Sequence, residues 1–173
     1  MPDPPTRTAA IALGSNLASP WGDREATLRE AIHRLGQLGQ VFAVSSFYDT
    51  APVGYTNQPR FLNAAVLLES ALTPVDLMRE LLAIERSMGR DRAAAPPKGP
   101  RRIDLDLLLI GDAVIADPRG PDNLPALTLP HPAMAQRRFV LEPLAEIAPG
   151  MVDPRSGLTI RELLARLHDS DQG

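Results

Sequence analysis

Cysteine is absent from this chain, so disulfides and thiolate metal sites are excluded and a reducing compartment is permitted. Neither sign of charge dominates; a net charge of −3 supplies no electrostatic case for binding nucleic acid. No apolar run approaches the length of a membrane span. The N-terminal stretch Met1-Pro2-Asp3-Pro4-Pro5-Thr6-Arg7 lacks the apolar core of a signal peptide. Internal repeats, low-complexity tracts and an interdomain linker are also missing. These absences lead to the expectation of a cytoplasmic protein with neither membrane nor nucleic acid as partner. What is present, 44% hydrophobic and 23% charged residues over 173 positions, is ordinary for one globular domain able to bury a core. The domain is expected over residues 8–168, between a disordered Pro-rich tail at 1–7 and a short tail at 169–173.

Residues 8–13 read as a short apolar strand ending in the turn residues Gly14-Ser15-Asn16. Leu28, Ala31, Ile32, Leu35 and Leu38 recur at helical spacing, with acids near the start and Gly36 and Gly39 near the end. His33 lies off that stripe and reads as solvated. Residues 41–48 and 61–68 read as strands, separated by a loop bracketed by Pro52 and Pro59. Thr73-Pro74-Val75-Asp76 is a helix start with Thr at the N-cap and Pro at the first helical position. Leu77, Leu81, Ile84 and Met88 make its core stripe, and Gly89 closes it. Past a strand read over 101–110 come a short apolar piece at 113–116 and a Pro-rich loop at 117–130. A helical stretch follows, taken to start at Pro132, and a capping box, Thr159-Ile160-Arg161-Glu162, opens a terminal helix. This order predicts an α+β fold, a ferredoxin-like βαββαβ sandwich. Its sheet is antiparallel with helices on one face, and extra C-terminal helices follow. Such a fold hosts many functions and decides none.

The most informative stretch is Arg101-Arg102-Ile103-Asp104-Leu105-Asp106-Leu107-Leu108-Leu109-Ile110. On a strand, Asp104 and Asp106 share a face, their Cα atoms roughly 6.5–7 Å apart. Paired carboxylates repel and resist desolvation unless a cation sits between them, and Mg²⁺ takes such hard oxygens together with substrate phosphates. The plainer alternative is a solvated strand face. Directly upstream, residues 90–102 hold five cations and one acid, including Arg90, Arg92 and Arg101, in a segment without periodicity. Guanidinium groups beside paired acids suit a polyphosphate, whereas a solvated basic loop would not predict that adjacency. Asn63 is out of place in an apolar strand. Its amide can read a heterocycle edge, or it can simply bond backbone at a sheet end. His131 alone reads as a cap or turn residue.

Taken in order, Ala10-Ile11-Ala12-Leu13-Gly14-Ser15-Asn16, Ser45-Ser46-Phe47-Tyr48 and Gln58-Pro59-Arg60-Phe61-Leu62-Asn63 resemble the 6-hydroxymethyl-7,8-dihydropterin pyrophosphokinase family of folate biosynthesis. So do Glu85, Gly89-Arg90, Gly99-Pro100-Arg101-Arg102-Ile103-Asp104-Leu105-Asp106, His131-Pro132 and Arg137-Arg138-Phe139-Val140-Leu141. The Gly-Pro-Arg-x-Ile-Asp-Leu-Asp string is the most specific part and Gly-Ser-Asn the least. The resemblance implies transfer of diphosphate from ATP to the pterin hydroxymethyl group, with release of AMP, by a monomer whose 8–168 domain is catalytic. It implies two Mg²⁺ ions on Asp104 and Asp106, with Arg90 and Arg101 as catalytic arginines. Glu85, Arg92, His131 and Arg137 would hold the nucleotide. Thr50, Val53, Gly54, Phe61, Asn63 and Phe139 would form the pterin pocket, with Phe139 stacking. Strand parity would place Arg102 with the two acids, whereas the family pattern selects Arg101. In the residues alone two rivals stay open: a two-metal phosphodiesterase or nucleotidyltransferase, which usually needs a further carboxylate, and a non-enzymatic ligand-binding module.

Overall fold

The computed structural model describes residues 5–52, 57–89, 102–117 and 125–172. Strand β1 (Arg7–Ser15) is followed by α1 (Arg24–Leu35), β2 (Gln40–Val44), β3 (Tyr48–Thr50), β4 (Phe61–Ser70), α2 (Pro74–Ser87) and β5 (Asp104–Ile110). Next come β6 (Ile115–Asp117), β7 (Leu127–Leu129), a 3₁₀ turn at Met134–Gln136, α3 (Arg138–Ile147) and α4 (Ile160–Gln172). The main sheet runs β2-β4-β1-β5, every pair antiparallel, with β3 added beside β4; β6 and β7 form a separate ribbon. Setting β3 aside, this is the ferredoxin-like βαββαβ order.

The helix starts follow from local chemistry. Asp23 caps α1 by accepting from Ala26 N at 2.9 Å, and Thr73 caps α2 by accepting from Asp76 N at 3.1 Å. The box before α4 is reciprocal: Glu162 N donates to Thr159 Oγ1 and Thr159 N donates to Glu162 Oε1, both at 3.1 Å. Gly89 ends α2 at φ +94°, which favours glycine.

Because β1 lies in the middle of the sheet, both of its faces are buried, and the alternation of its side chains divides the core in two. Ile11 and Leu13 pack with Val66, Leu68, Leu105 and Leu107 under α1 and α2. Ala10 and Ala12 pack with Ala65, Leu67, Leu108, Val140 and Leu144 under α3 and α4. Helices therefore cover both faces of the sheet, which corrects the single helical layer expected from the element order. The apolar C-terminal stripe (Val140, Leu141, Leu144, Ile160, Leu163) needs its own sheet surface, and the small β1 residues supply it.

Other boundaries differ from expectation. The 41–48 strand is broken at Ser45, whose hydroxyl accepts from Ala65 N, so β2 and β3 are separate. The stretch from Pro132 does not begin as an α-helix; a turn and the 3₁₀ segment precede α3. Arg7 is already paired with Ser70, and α4 runs through Gln172 rather than ending at 168. Among the described residues, no helix is long and apolar enough to cross a membrane.

Candidate active site

Along the α3-facing side of β1 the residues shrink from Ala10 and Ala12 to Gly14. Beneath α3 these small residues allow close packing; at the strand end they leave a pocket of about 110 Å³. Its floor is Ala12 and Gly14, and its walls are Thr50 of β3, Phe61 and Asn63 of β4, and Asp104 and Asp106 of β5. Arg137, Phe139 and Val140 close it from α3. Sheet register explains the convergence, since Gly14 sits between Asn63 and Asp104, and Ala12 lies opposite Asp106. A Cβ on Gly14 would come within 3.0 Å of Asn63 Oδ1 and 3.8 Å of the Phe61 ring.

Asn63 is 6% exposed, and its amide nitrogen donates to the Thr50 hydroxyl. Phe61, Phe139 and Arg137 are half-buried, so a ring entering the pocket meets aromatic surface with a polar edge beside it. The Arg137 guanidinium lies 5.6 Å from the centre of the Phe139 ring, a cation–π contact that holds charge at the pocket rim. Arg137 is also the N-cap residue of α3, but its side chain takes no part in capping.

Asp104 and Asp106 share the pocket face, as alternation requires, while Leu105 and Leu107 point into the core under α2. A β-bulge lies further along: Ala10 pairs with Leu109 and Ile11 with Leu107, so Leu108 is the extra residue. This explains the unbroken Leu-Leu-Leu-Ile run, because the bulge reverses parity and Leu108 and Leu109 both enter the α3 core. The Leu108 carbonyl accepts from His131 N at 2.9 Å and brings the 125–132 segment alongside β5.

That segment and α2 border a second cleft of about 250 Å³, lined by Met78, Leu81, Leu82, Leu105, Leu107, Thr128, His131 and Pro132 together with Asp106. Asp106 thus lines both clefts. Burial is the main force lowering the His131 pKa below its ordinary value; the charge of Arg137 adds to it and that of Asp104 opposes it. His131 Nδ1 accepts from Ala133 N at 3.2 Å, so the neutral ring carries its proton on Nε2.

Glu85 is 1% exposed, and its carboxylate accepts from Leu105 N at 2.7 Å, anchoring β5 between the two aspartates. Arg90, Arg92, Arg101, Val53 and Gly54 lie outside the described residues. Arg102 is exposed and does not join the acids as parity required. Its guanidinium lies over Gly89, where a Cβ would be 2.7 Å from Nη1, because regular strand begins only at Asp104. Residue-by-residue reading passed over Gly14 and Asn16. Asn16, 2% exposed, donates to Gln58 Oε1 at 2.8 Å and to the Pro59 carbonyl at 3.0 Å, tying the loop before Phe61 to the end of β1. Their only signal was the weakly specific Gly-Ser-Asn turn.

The donor set can be matched to a metal by its chemistry. Among the described residues, no group of three or more His, Cys, Asp or Glu side chains is placed to hold an ion. Two adjacent carboxylates fit Mg²⁺, which keeps waters and binds substrate phosphates rather than demanding an all-protein cage.

Fold and site together define an α+β domain with an acid pair at the junction of two clefts. A family model described as 7,8-dihydro-6-hydroxymethylpterin-pyrophosphokinase (HPPK) matches residues 10–149. A Pseudomonas aeruginosa protein named 2-amino-4-hydroxy-6-hydroxymethyldihydropteridine pyrophosphokinase is 43% identical over 155 residues, 90% of this chain and 88% of the relative. A Methylorubrum extorquens protein of the same name is 43% identical over 164 residues, 94% of each chain. The fold is that of a crystal structure of a Plasmodium falciparum HPPK-DHPS triple mutant (TM-score 0.75, 17% identity), aligned over 95% of this chain and 44% of that longer one. The chain belongs to the 7,8-dihydro-6-hydroxymethylpterin-pyrophosphokinase family.

Proposed function

We propose that the chain is the pyrophosphokinase of folate synthesis, transferring diphosphate from ATP to the hydroxymethyl group of 6-hydroxymethyl-7,8-dihydropterin and releasing AMP. The observation that carries this reading is the sharing of Asp106 by two clefts, one with aromatic walls and a buried amide, the other largely apolar and bordered by His131. A pterin fits the first, stacked on Phe139 and Phe61 with its edge against Asn63 and Thr50; Val53 and Gly54, outside the described residues, would be further pterin contacts by resemblance to the family. A nucleotide fits the second, with its triphosphate running past His131 and Arg137 toward the acids.

Asp104 and Asp106 would hold two Mg²⁺ ions, which supply charge neutralisation for the triphosphate. The side chains have separate tasks. His131, kept neutral by burial, donates Nε2–H to a phosphate oxygen. Arg137 adds fixed positive charge, and Arg90, Arg92 and Arg101, outside the described residues, would neutralise the transferring group by resemblance to the family. Glu85 keeps the two carboxylates in register through Leu105 N. The pterin hydroxyl is thereby oriented for in-line attack, where proximity is worth up to about 7–11 kcal/mol. No protein nucleophile is required, since phosphoryl-type transfer asks for positioning and electrostatics. The test is Asp104→Ala and Asp106→Ala, assayed for turnover and by circular dichroism. Turnover is lost while the fold persists; near-normal turnover in either variant removes the metal assignment.

A further inference from the structure

Glu146 lies near the C-terminal end of α3, remote from the proposed chemistry, yet its carboxylate gathers three donors, two from Ser46 between β2 and β3 and one from Tyr48 at the start of β3. Ser46 N donates at 2.9 Å, Ser46 Oγ at 3.1 Å and the Tyr48 hydroxyl at 2.5 Å. Both partners are linked by spacing to the pocket. Tyr48 and Thr50 are alternate residues of β3 and share a face. Glu146 and Phe139 are seven residues apart on α3, about 10 Å along the axis and on one helix face. Glu142, between them, adds a weaker charge interaction with Tyr48.

β3 has three residues and, among the described residues, pairs only with β4. In α3, Pro143 has no N–H to donate to the Phe139 carbonyl, so the helical bond nearest the ring is not made. We infer that the Ser46–Tyr48–Glu146 cluster is the positioning latch of the pterin pocket, setting the separation between Thr50 on β3 and Phe139 on α3. Hydrogen bonding to Glu146 raises the Tyr48 pKa to about 12, and the Tyr48 bond in turn lowers that of Glu146, so donor and acceptor persist across physiological pH.

The latch rests on the pterin reading, and one experiment separates the two. The reduced pterin is titrated calorimetrically into the full chain with Mg²⁺ and a non-hydrolysable ATP analogue, for the unmodified protein, Glu146→Ala, Glu146→Gln and Tyr48→Phe. Glu146→Ala is expected to weaken pterin binding about tenfold, with nucleotide affinity changed by less than about twofold. Glu146→Gln recovers part of the loss, because its amide oxygen still accepts from one donor. Tyr48→Phe removes a single hydroxyl and weakens pterin binding about threefold, which keeps the test open if Glu146→Ala does not fold. Folded variants that bind pterin as tightly as the unmodified protein, or that lose both ligands in parallel, overturn the latch and leave the functional reading standing. An unmodified chain that binds nucleotide but no pterin overturns both.

Discussion

Replacing Gly14 with alanine adds one methyl group to the pocket floor and separates stability from function. Gly14 lies within regular β1 and does not adopt a positive φ, so alanine is conformationally acceptable there. Backbone entropy alone would stabilise the variant by about 0.5–1 kcal/mol. The methyl, however, stands 3.0 Å from Asn63 Oδ1, tighter than an ordinary contact by a few tenths of an ångström. Asn63 is 6% exposed and bonded to Thr50, so it yields only by loosening that bond. A displaced amide would forfeit one or two of the hydrogen bonds proposed between Asn63 and the pterin, about 0.5–1.5 kcal/mol each. At about 1.4 kcal/mol per tenfold, the pterin KM should rise between a few-fold and about a hundredfold. The assay pairs urea denaturation with KM determined separately for pterin and ATP. The expected result is unchanged or raised stability, a raised pterin KM and an ATP KM near normal. An unaltered pterin KM in a folded variant, or a loss confined to ATP, would refute the placement of Gly14 under the pterin.

Three further outcomes follow from the same geometry. A Cβ on Gly39 would lie 2.1 Å from the Glu69 carbonyl oxygen, which is backbone and cannot swing away. Gly39→Ala should therefore destabilise the fold by about 1–3 kcal/mol in urea, with KM values unchanged in the surviving folded fraction. The chain has two tyrosines, and absorbance titration should show one ionising near pH 12; that step disappears in Tyr48→Phe. Because the folded pKa lies above the ordinary 10.0, the Tyr48 contribution to stability is complete below pH 10 and is lost as pH rises through about 12. For His131 the folded pKa lies below 6.5, so its contribution is present above pH 6.5 and declines as pH falls from there through the lowered value. An NMR titration that placed its imidazole at or above 6.5 would contradict the buried, neutral assignment.

Much of the fold was legible because its signals are local. The Thr73-Pro74 start, the Thr159–Glu162 box and the alternation at Asp104 and Asp106 each act within a few residues, and each produces its element. The second helical layer was not legible, because it depends on small residues of β1 meeting apolar residues more than a hundred positions later. Nor was the break at Ser45, whose cause is a hydrogen bond to Ala65. Within the site, Asp104, Asp106 and Asn63 stood out as polar residues in strand sequence. Gly14 did not, since a glycine beside a turn looks like turn chemistry until Asn63 and Phe61 are seen across from it. Arg102 marks the limit of parity, which holds only where strand is regular: β5 starts two residues later. His131 looked like a turn residue and is one, but the bulge at Leu108 also sets that turn beside the acids.

The most direct test of the account is product analysis with ATP, Mg²⁺ and 6-hydroxymethyl-7,8-dihydropterin. Release of AMP, one for each pterin diphosphate formed and none without the pterin, is the predicted result. Release of ADP, or nucleotide turnover indifferent to the pterin, would contradict it.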